Sequence, residues 1–227
     1  MGFVLFYGDW AWLAAERELK LAIELRPNFP TSHHWYAEYL SAMGRHEEAI
    51  AEIKRAQKLD PLSPLLFAIG GEIYLLAHRY DEAIEQCQKG LDLDPNYFLA
   101  MDNMGGGYVG KRMYSEAAAK YAMANQVQGI SNSTGQAVAY ALTGKRGEAL
   151  TILRRLQEPS HRSELDSLMA ARLYLALGMK KELLDWLERA YEEHEAYVPL
   201  WNAHPAFDPL RSEPRFQNLI RRMNFPQ

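Results

Sequence analysis

With 227 residues, 48% apolar side chains and a net charge of only −4, the chain has material for one large domain or two small ones. Acids and bases are mixed along it, so no basic face offers itself to nucleic acid and no acidic tail announces disorder. The single cysteine, Cys87, excludes an intrachain disulfide framework, and its apolar helical surroundings imply a buried thiol in a reduced, cytoplasmic setting. The apolar start, Gly2 to Tyr7, has no basic leader, and no run approaches the ~20 apolar residues of a membrane span.

In chain order, Phe3 to Tyr7 is too short for a full helix and is followed by a helix over Asp9 to Leu25. Next come a helix from about Thr31 to Met43, a turn at Gly44 and Arg45, and a helix from His46 to Leu59 that Pro61 stops. Pro64 to Pro95 holds another such pair. A fourth runs from Tyr97 through Tyr108 and Tyr114 to about Val127, closed by Gly129. Gly129 to Gly135 is expected to be a polar loop with a shortened helix after it. A fifth unit persists in Tyr140, Gly144 and Ala149 and ends at Pro159 and Ser160. The sixth begins with Ser163 and Asp166 spaced as a capping box, and its second helix runs from Lys180 to about His194. Beyond Val198 the prolines Pro199, Pro205, Pro209 and Pro214 break any long helix until Glu213 to Met223. There Phe216, Leu219, Ile220 and Met223 form an apolar stripe suited to capping a stack. The expected organisation is an array over 1–198 and a capping segment over 199–227 of the same domain.

The units keep a strict period. Ala15, Ala49, Ala83 and Ala117 stand thirty-four residues apart, as do Pro27, Pro61 and Pro95. Four residues after each alanine comes Leu19, Ile53, Cys87 or Tyr121, and three further on Ala22, Ala56, Gly90 or Ala124. These share one helix face. Small side chains there suit a close helix crossing, with axes near the low end of ~8–10 Å. Between Ala117 and Ala149 the step falls to thirty-two, which marks a weak seam, and in the sixth unit Leu183 takes the alanine's place.

Within Pro64 to Pro95 the order Phe67, Gly70-Gly71, Tyr74, Ala83, Cys87 and Pro95 resembles the tetratricopeptide repeat. The resemblance covers nearly the whole chain and implies an all-α, right-handed superhelical solenoid of about six helix pairs, the first incomplete. The segments HHWYAEYLSAMGRHEEA (33–49), LDPLSP (59–64), RYDEAIEQ (79–86) and FDPLRSEPRFQNLIRRM (207–223) look like the carboxy-terminal repeat regions of bacterial multidomain regulators. In those chains the repeats follow winged-helix, cyclase or serine/threonine kinase domains, and this chain contains none of those modules.

The resemblance implies that the first helix of each pair lines a concave face. Carried over residue by residue, that face includes His34, Glu38, Leu65, Ile69, Glu72, Leu75, Leu76, Leu99, Asp102, Asn103, Gly106, Val109, Val138 and Arg172. It implies a groove for a protein or peptide partner, with Glu72, Asp102 and Asn103 orienting the ligand. The alternative is a superhelix curled so tightly that its leucines pack against neighbouring helices. A clamp for the acidic carboxy-terminus of chaperones is rejected, because His34, Ala68 and Asp102 stand where that clamp needs donors.

Other motifs fall short. Gly105 to Arg112 comes within one residue of a phosphate-binding loop, but Arg112 lacks the magnesium-binding hydroxyl and no strand precedes it. The histidines have no metal-site spacing, and no nucleophile elbow is present. No cofactor, metal, nucleic acid or membrane partner is expected, and no catalysis. Two further readings stand beside peptide binding: a homodimer through Phe3, Leu5 and Phe6, which a truncated first pair would leave without a neighbour, and an enzyme with an unrecognised site.

Overall fold

The computed structural model describes residues 1–129, 134–158, 160–161 and 165–226. Among these, thirteen α-helices and no strand are found. They fall into six antiparallel pairs: α1 (Gly2–Tyr7) with α2 (Trp12–Leu25), α3 (Pro30–Ala42) with α4 (His46–Leu59), α5 (Pro64–Leu76) with α6 (Tyr80–Leu93), α7 (Phe98–Gly110) with α8 (Tyr114–Gln128), α9 (Thr134–Leu142) with α10 (Arg146–Leu156), and α11 (Ser167–Ala176) with α12 (Lys180–Glu192). Two 3-10 helices, Val198–Leu200 and Pro205–Leu210, lead to α13 (Pro214–Met223).

Proline sets both ends of the early units. Pro30 and Pro64 occupy the first turn of α3 and α5, where a missing N–H costs nothing and a fixed φ suits the helix. Arg26, Asp60 and Asp94 close the preceding helices with φ of −141°, −136° and −137°. Each precedes a proline, which bars the helical conformation there. The turn inside every pair uses one left-handed residue, at Trp10, Gly44, His78, Arg112, Gly144 and Gly178, with φ between 52° and 80°.

Close crossings account for the small residues. Ala15, Ala49, Ala83, Ala117 and Ala149 are all 0% exposed, and Leu183 is equally buried in the sixth pair. On the facing helices glycine admits a larger partner: a Cβ at Gly71 would lie 2.2 Å from Cys87 Sγ, and one at Gly105 would lie 2.6 Å from Tyr121 Cε1. The glycines of α7 are thus places of close approach. They hold no nucleotide loop, because α7 is helical throughout.

Several local expectations are corrected. The helix expected from Asp9 starts at Trp12, because Trp10 takes the left-handed turn position. The helix placed after Gly135 already begins at Thr134, and Gly129 ends α8 in a left-handed conformation, while residues 130–133 lie outside the described residues. The helix assigned to begin near Ser163 begins at Ser167. Asp166 is itself the N-cap and accepts a hydrogen bond from Met169 N at 2.8 Å; Ser163 and Pro159 also lie outside the described residues. Phe6, expected to lack a neighbour, is 1% exposed and packs edge-on against Trp12 and Tyr39.

The largest departure is at the end of the chain. After α12 the backbone turns back across the inside of the superhelix. Leu200 closes a space of about 10 Å³, room for at most one water, against Tyr7, Ile73 and Leu76. Trp201 is fully buried beside Phe207 and Phe216, and its indole N–H donates to Ser167 Oγ at 2.9 Å. Asp208 Oδ2 reaches to 3.7 Å from His78 Nδ1, at the α5–α6 turn. The last residues then meet the first: Trp12 donates to Met223 O at 2.8 Å and stacks on Phe225, while Trp10 stacks on His194. The solenoid is closed into a ring, with α13 lying against α12 through Arg215, which bonds Asp185 and Glu188.

Candidate functional site: the inner face and its open pocket

The residues expected on the concave face all sit on first helices of pairs, but the structure divides them into two groups. Ile69, Leu75, Leu76 and Val138 are 6%, 2%, 1% and 0% exposed. Leu75 packs on Gly106 and Leu76 beside Leu200, so tight curling describes this apolar half. Asn103 is also committed, donating from α7 to Ala68 O on α5 at 3.1 Å. Leu65 stays exposed at the start of α5, and Val109 is half-buried.

The polar half forms a chain of interactions through the interior. His34 Nε2 meets Glu38 Oε1 at 2.9 Å, and Tyr7 donates to Glu38 Oε2 at 3.0 Å. Glu72 faces Glu38. Burial, then the negative charge of Glu38, pushes the Glu72 carboxyl up to about 8, although Arg172 works against the rise. Arg172 Nη1 donates to Asp102 Oδ2 at 3.2 Å, and its guanidinium lies over the Tyr121 ring. A Cβ on Gly106 would come within 2.8 Å of Arg172 Nη2, which makes glycine the residue that lets the guanidinium cross α7. Arg172 Nη2 and Tyr121 Oη have no hydrogen-bond partner among the described residues.

Glu72 gives this chain of charges a pH signature. Its folded carboxyl is raised, so the folded state retains a proton that the unfolded chain, at about 4.3, gives up. Stability is therefore full below that value and falls as pH rises toward about 8. Glu72→Gln, which cannot ionise, should match the wild type near pH 4–5 and exceed it by about 2–3 kcal/mol at pH 9, at roughly 1.4 kcal/mol per decade with allowance for water reaching the group. Urea denaturation at both pH values checks this. An identical difference at the two would contradict it.

One part of the inner face remains open. A pocket of about 650 Å³ lies between Phe98, Leu99 and Asp102 of α7, the end of α8 at Asn125 and Gln128, the start of α9, Asp166 and Met169 at the start of α11, and Tyr197. Burial, then Glu195 and Asp102, pushes the Asp166 carboxyl up to about 6, against the opposing bond from Met169 N. Desolvation likewise raises Asp102, in spite of Arg172. Of the residues expected from sequence, only Leu99 and Asp102 line this pocket. Asn125, Gln128 and Tyr197 carried no signal, since they sit on a second-helix end or past the last pair; Met169, on the first helix α11, was not among the expected residues, and Asp166 announced itself only as part of a cap. Among the described residues no group of three His, Cys, Asp or Glu could hold a metal ion, and no helix is long and apolar enough to cross a membrane.

Comparison with known proteins agrees with this architecture. The tetratricopeptide repeat family profile matches residues 30–61 and 64–97. No curated sequence matches the chain significantly. Among solved structures, the type IV pilus biogenesis factor PilW is similar with a TM-score of 0.61 at 17% identity over 96% of this chain and 94% of its own. A thermophilic tetratricopeptide protein of Thermus thermophilus gives 0.57 at 18% identity, over 85% and 99%. A chain of the APC/C hetero-tetramer Cut9–Hcn1 gives 0.60 at 17% over 93% of this chain and 39% of that one. At these identities the likeness fixes the fold alone, an all-α tetratricopeptide solenoid.

Proposed function

We propose that this tetratricopeptide solenoid is a docking module that holds a protein segment in the pocket between α7, α9 and α11. The observation that carries the reading is the contrast along one face: its apolar half is closed by neighbouring helices and by Leu200, whereas the pocket of about 650 Å³ stays open, with Leu99 and Asp102 in its wall. A cavity of that size with apolar walls and a few polar groups suits a partner's side chains. The Cut9–Hcn1 complex supports a protein partner by analogy. We read 1–198 as the array and 199–227 as its cap within one domain. The resemblance to repeat regions of multidomain regulators further suggests a sensing or scaffolding part, in which an occupied pocket biases an attached output domain by differential binding.

Peptides selected from a random displayed library should bind the chain, and Leu99→Glu should lower their affinity at least tenfold in calorimetry. Leu13→Glu, on the outer surface where Leu13 is 65% exposed, should leave it unchanged. Selected peptides that ignore Leu99→Glu would remove the pocket from the reading. A second reading, self-association through α1 and α2, draws on Phe3, Val4, Leu13 and Leu21, which are 44%, 54%, 65% and 44% exposed. Light scattering across concentrations separates it from a monomeric binder.

A further inference from the structure

We infer that the open pocket selects a basic side chain, lysine or arginine, from the docked segment. This rests on reading the pocket as a docking site and adds what is recognised there. Asp102 and Asp166 stand in the pocket wall with Tyr197, and the phenol of Tyr197 also lies within the field of Glu72 and Glu195. Asp102, Asp166 and Glu195 thus bring negative charge toward one aromatic ring, while Glu72, raised to about 8, keeps its proton at neutral pH. Two guanidinium groups stand near them: that of Arg172, whose Nη1 is already engaged with Asp102, and that of Arg155. Glu195 accepts from Ser167 Oγ and Tyr197 N, which spreads its charge without neutralising it. Arg155, also in the lining, bonds His161 at 3.0 Å.

The shape fits the same class of ligand. Lysine and arginine carry a long apolar stem and a charged head. Phe98, Leu99 and Met169 offer the apolar wall for the stem, while Asp166 and the Tyr197 ring stand where the head arrives. The Asn125 amide nitrogen in the same wall is buried without a hydrogen-bond partner among the described residues, a donor available to a backbone carbonyl of the segment. The raised Asp166 carboxyl adds a pH dependence: it is charged above about 6 and protonated below. A cationic ligand should therefore be held at neutral pH and released in mild acid.

The test uses a phage-displayed library of random twelve-residue peptides, selected on the full chain at pH 7.5. Asp166→Asn serves as the variant, because asparagine caps a helix as well as aspartate does and only the charge is lost. The expected result is enrichment of lysine or arginine at one position. A selected peptide should bind Asp166→Asn at least tenfold more weakly than wild type, lose affinity when its basic residue becomes norleucine, and weaken as salt rises. Selected peptides without a basic position, or equal affinity for Asp166→Asn, overturn this inference and leave the docking site standing. A selection that yields no peptide, or only peptides indifferent to Leu99→Glu, overturns both.

Discussion

Arg172→Leu is expected to lose about 3–5 kcal/mol of stability, the usual cost of removing one partner from a buried ion pair. Arg172 is 8% exposed and supplies the positive charge among Glu72, Asp102 and Asp166. Without it, the Asp102 carboxylate stays inside the superhelix with no cation beside it, and Tyr121 loses the guanidinium that lies 5.7 Å from its ring centre. The melting temperature should fall by roughly 6–20 °C for a chain of this size. Pairing the change with Asp102→Asn should restore much of the loss, since the stranded charge then disappears, and the difference between single and double variants measures the coupling. A single variant within about 1 kcal/mol of wild type would show that the interior charges relax into solvent.

Trp201→Ala should be comparably severe, about 3–5 kcal/mol, although Trp201 belongs to no repeat. Its ring is 0% exposed, packs with centroids 5.8 Å from Phe207 and 6.4 Å from Phe216, and donates its N–H to Ser167. Truncation leaves a cavity, and it also takes the indole donor from the Ser167 hydroxyl, which keeps only its bond to Glu195. Guanidinium denaturation reads the loss. Leu13→Ala, an exposed position, is the control and should stay within about 0.5 kcal/mol. Similar losses for the two would mean that the crossing segment rests on the inner face without supporting it.

The repeat was legible because its causes are local and recur. Ala83 is small because two helices cross there, and the same crossing returns every thirty-four residues, so Ala15, Ala49 and Ala117 repeat the message. Pro61 and Pro95 act on the residue just before them. The ring was not legible. Trp12 meets the carbonyl of Met223 across 211 residues, and no period connects the two. Four prolines after Val198 correctly forbade a long helix, but they said nothing of 3-10 turns or of the direction in which the chain then runs. The candidate site followed the same division. Leu99 and Asp102 were placed by their register in α7, while Tyr197 entered the pocket only because the backbone after α12 turns inward.

Closure also changes how such an array comes apart. In an open stack each repeat touches only its neighbours, so unfolding begins at either end and spreads one interface at a time. Here the first and last helices hold each other through Trp10, Trp12, His194 and Phe225, and the terminal pairs have lost the freedom to fray separately. Opening any one interface must work against the ring contact as well. The chain is thereby moved from a sum of neighbouring units toward a single cooperative transition, and its folding must bring together residues from opposite ends of the sequence before the last of its core is dry.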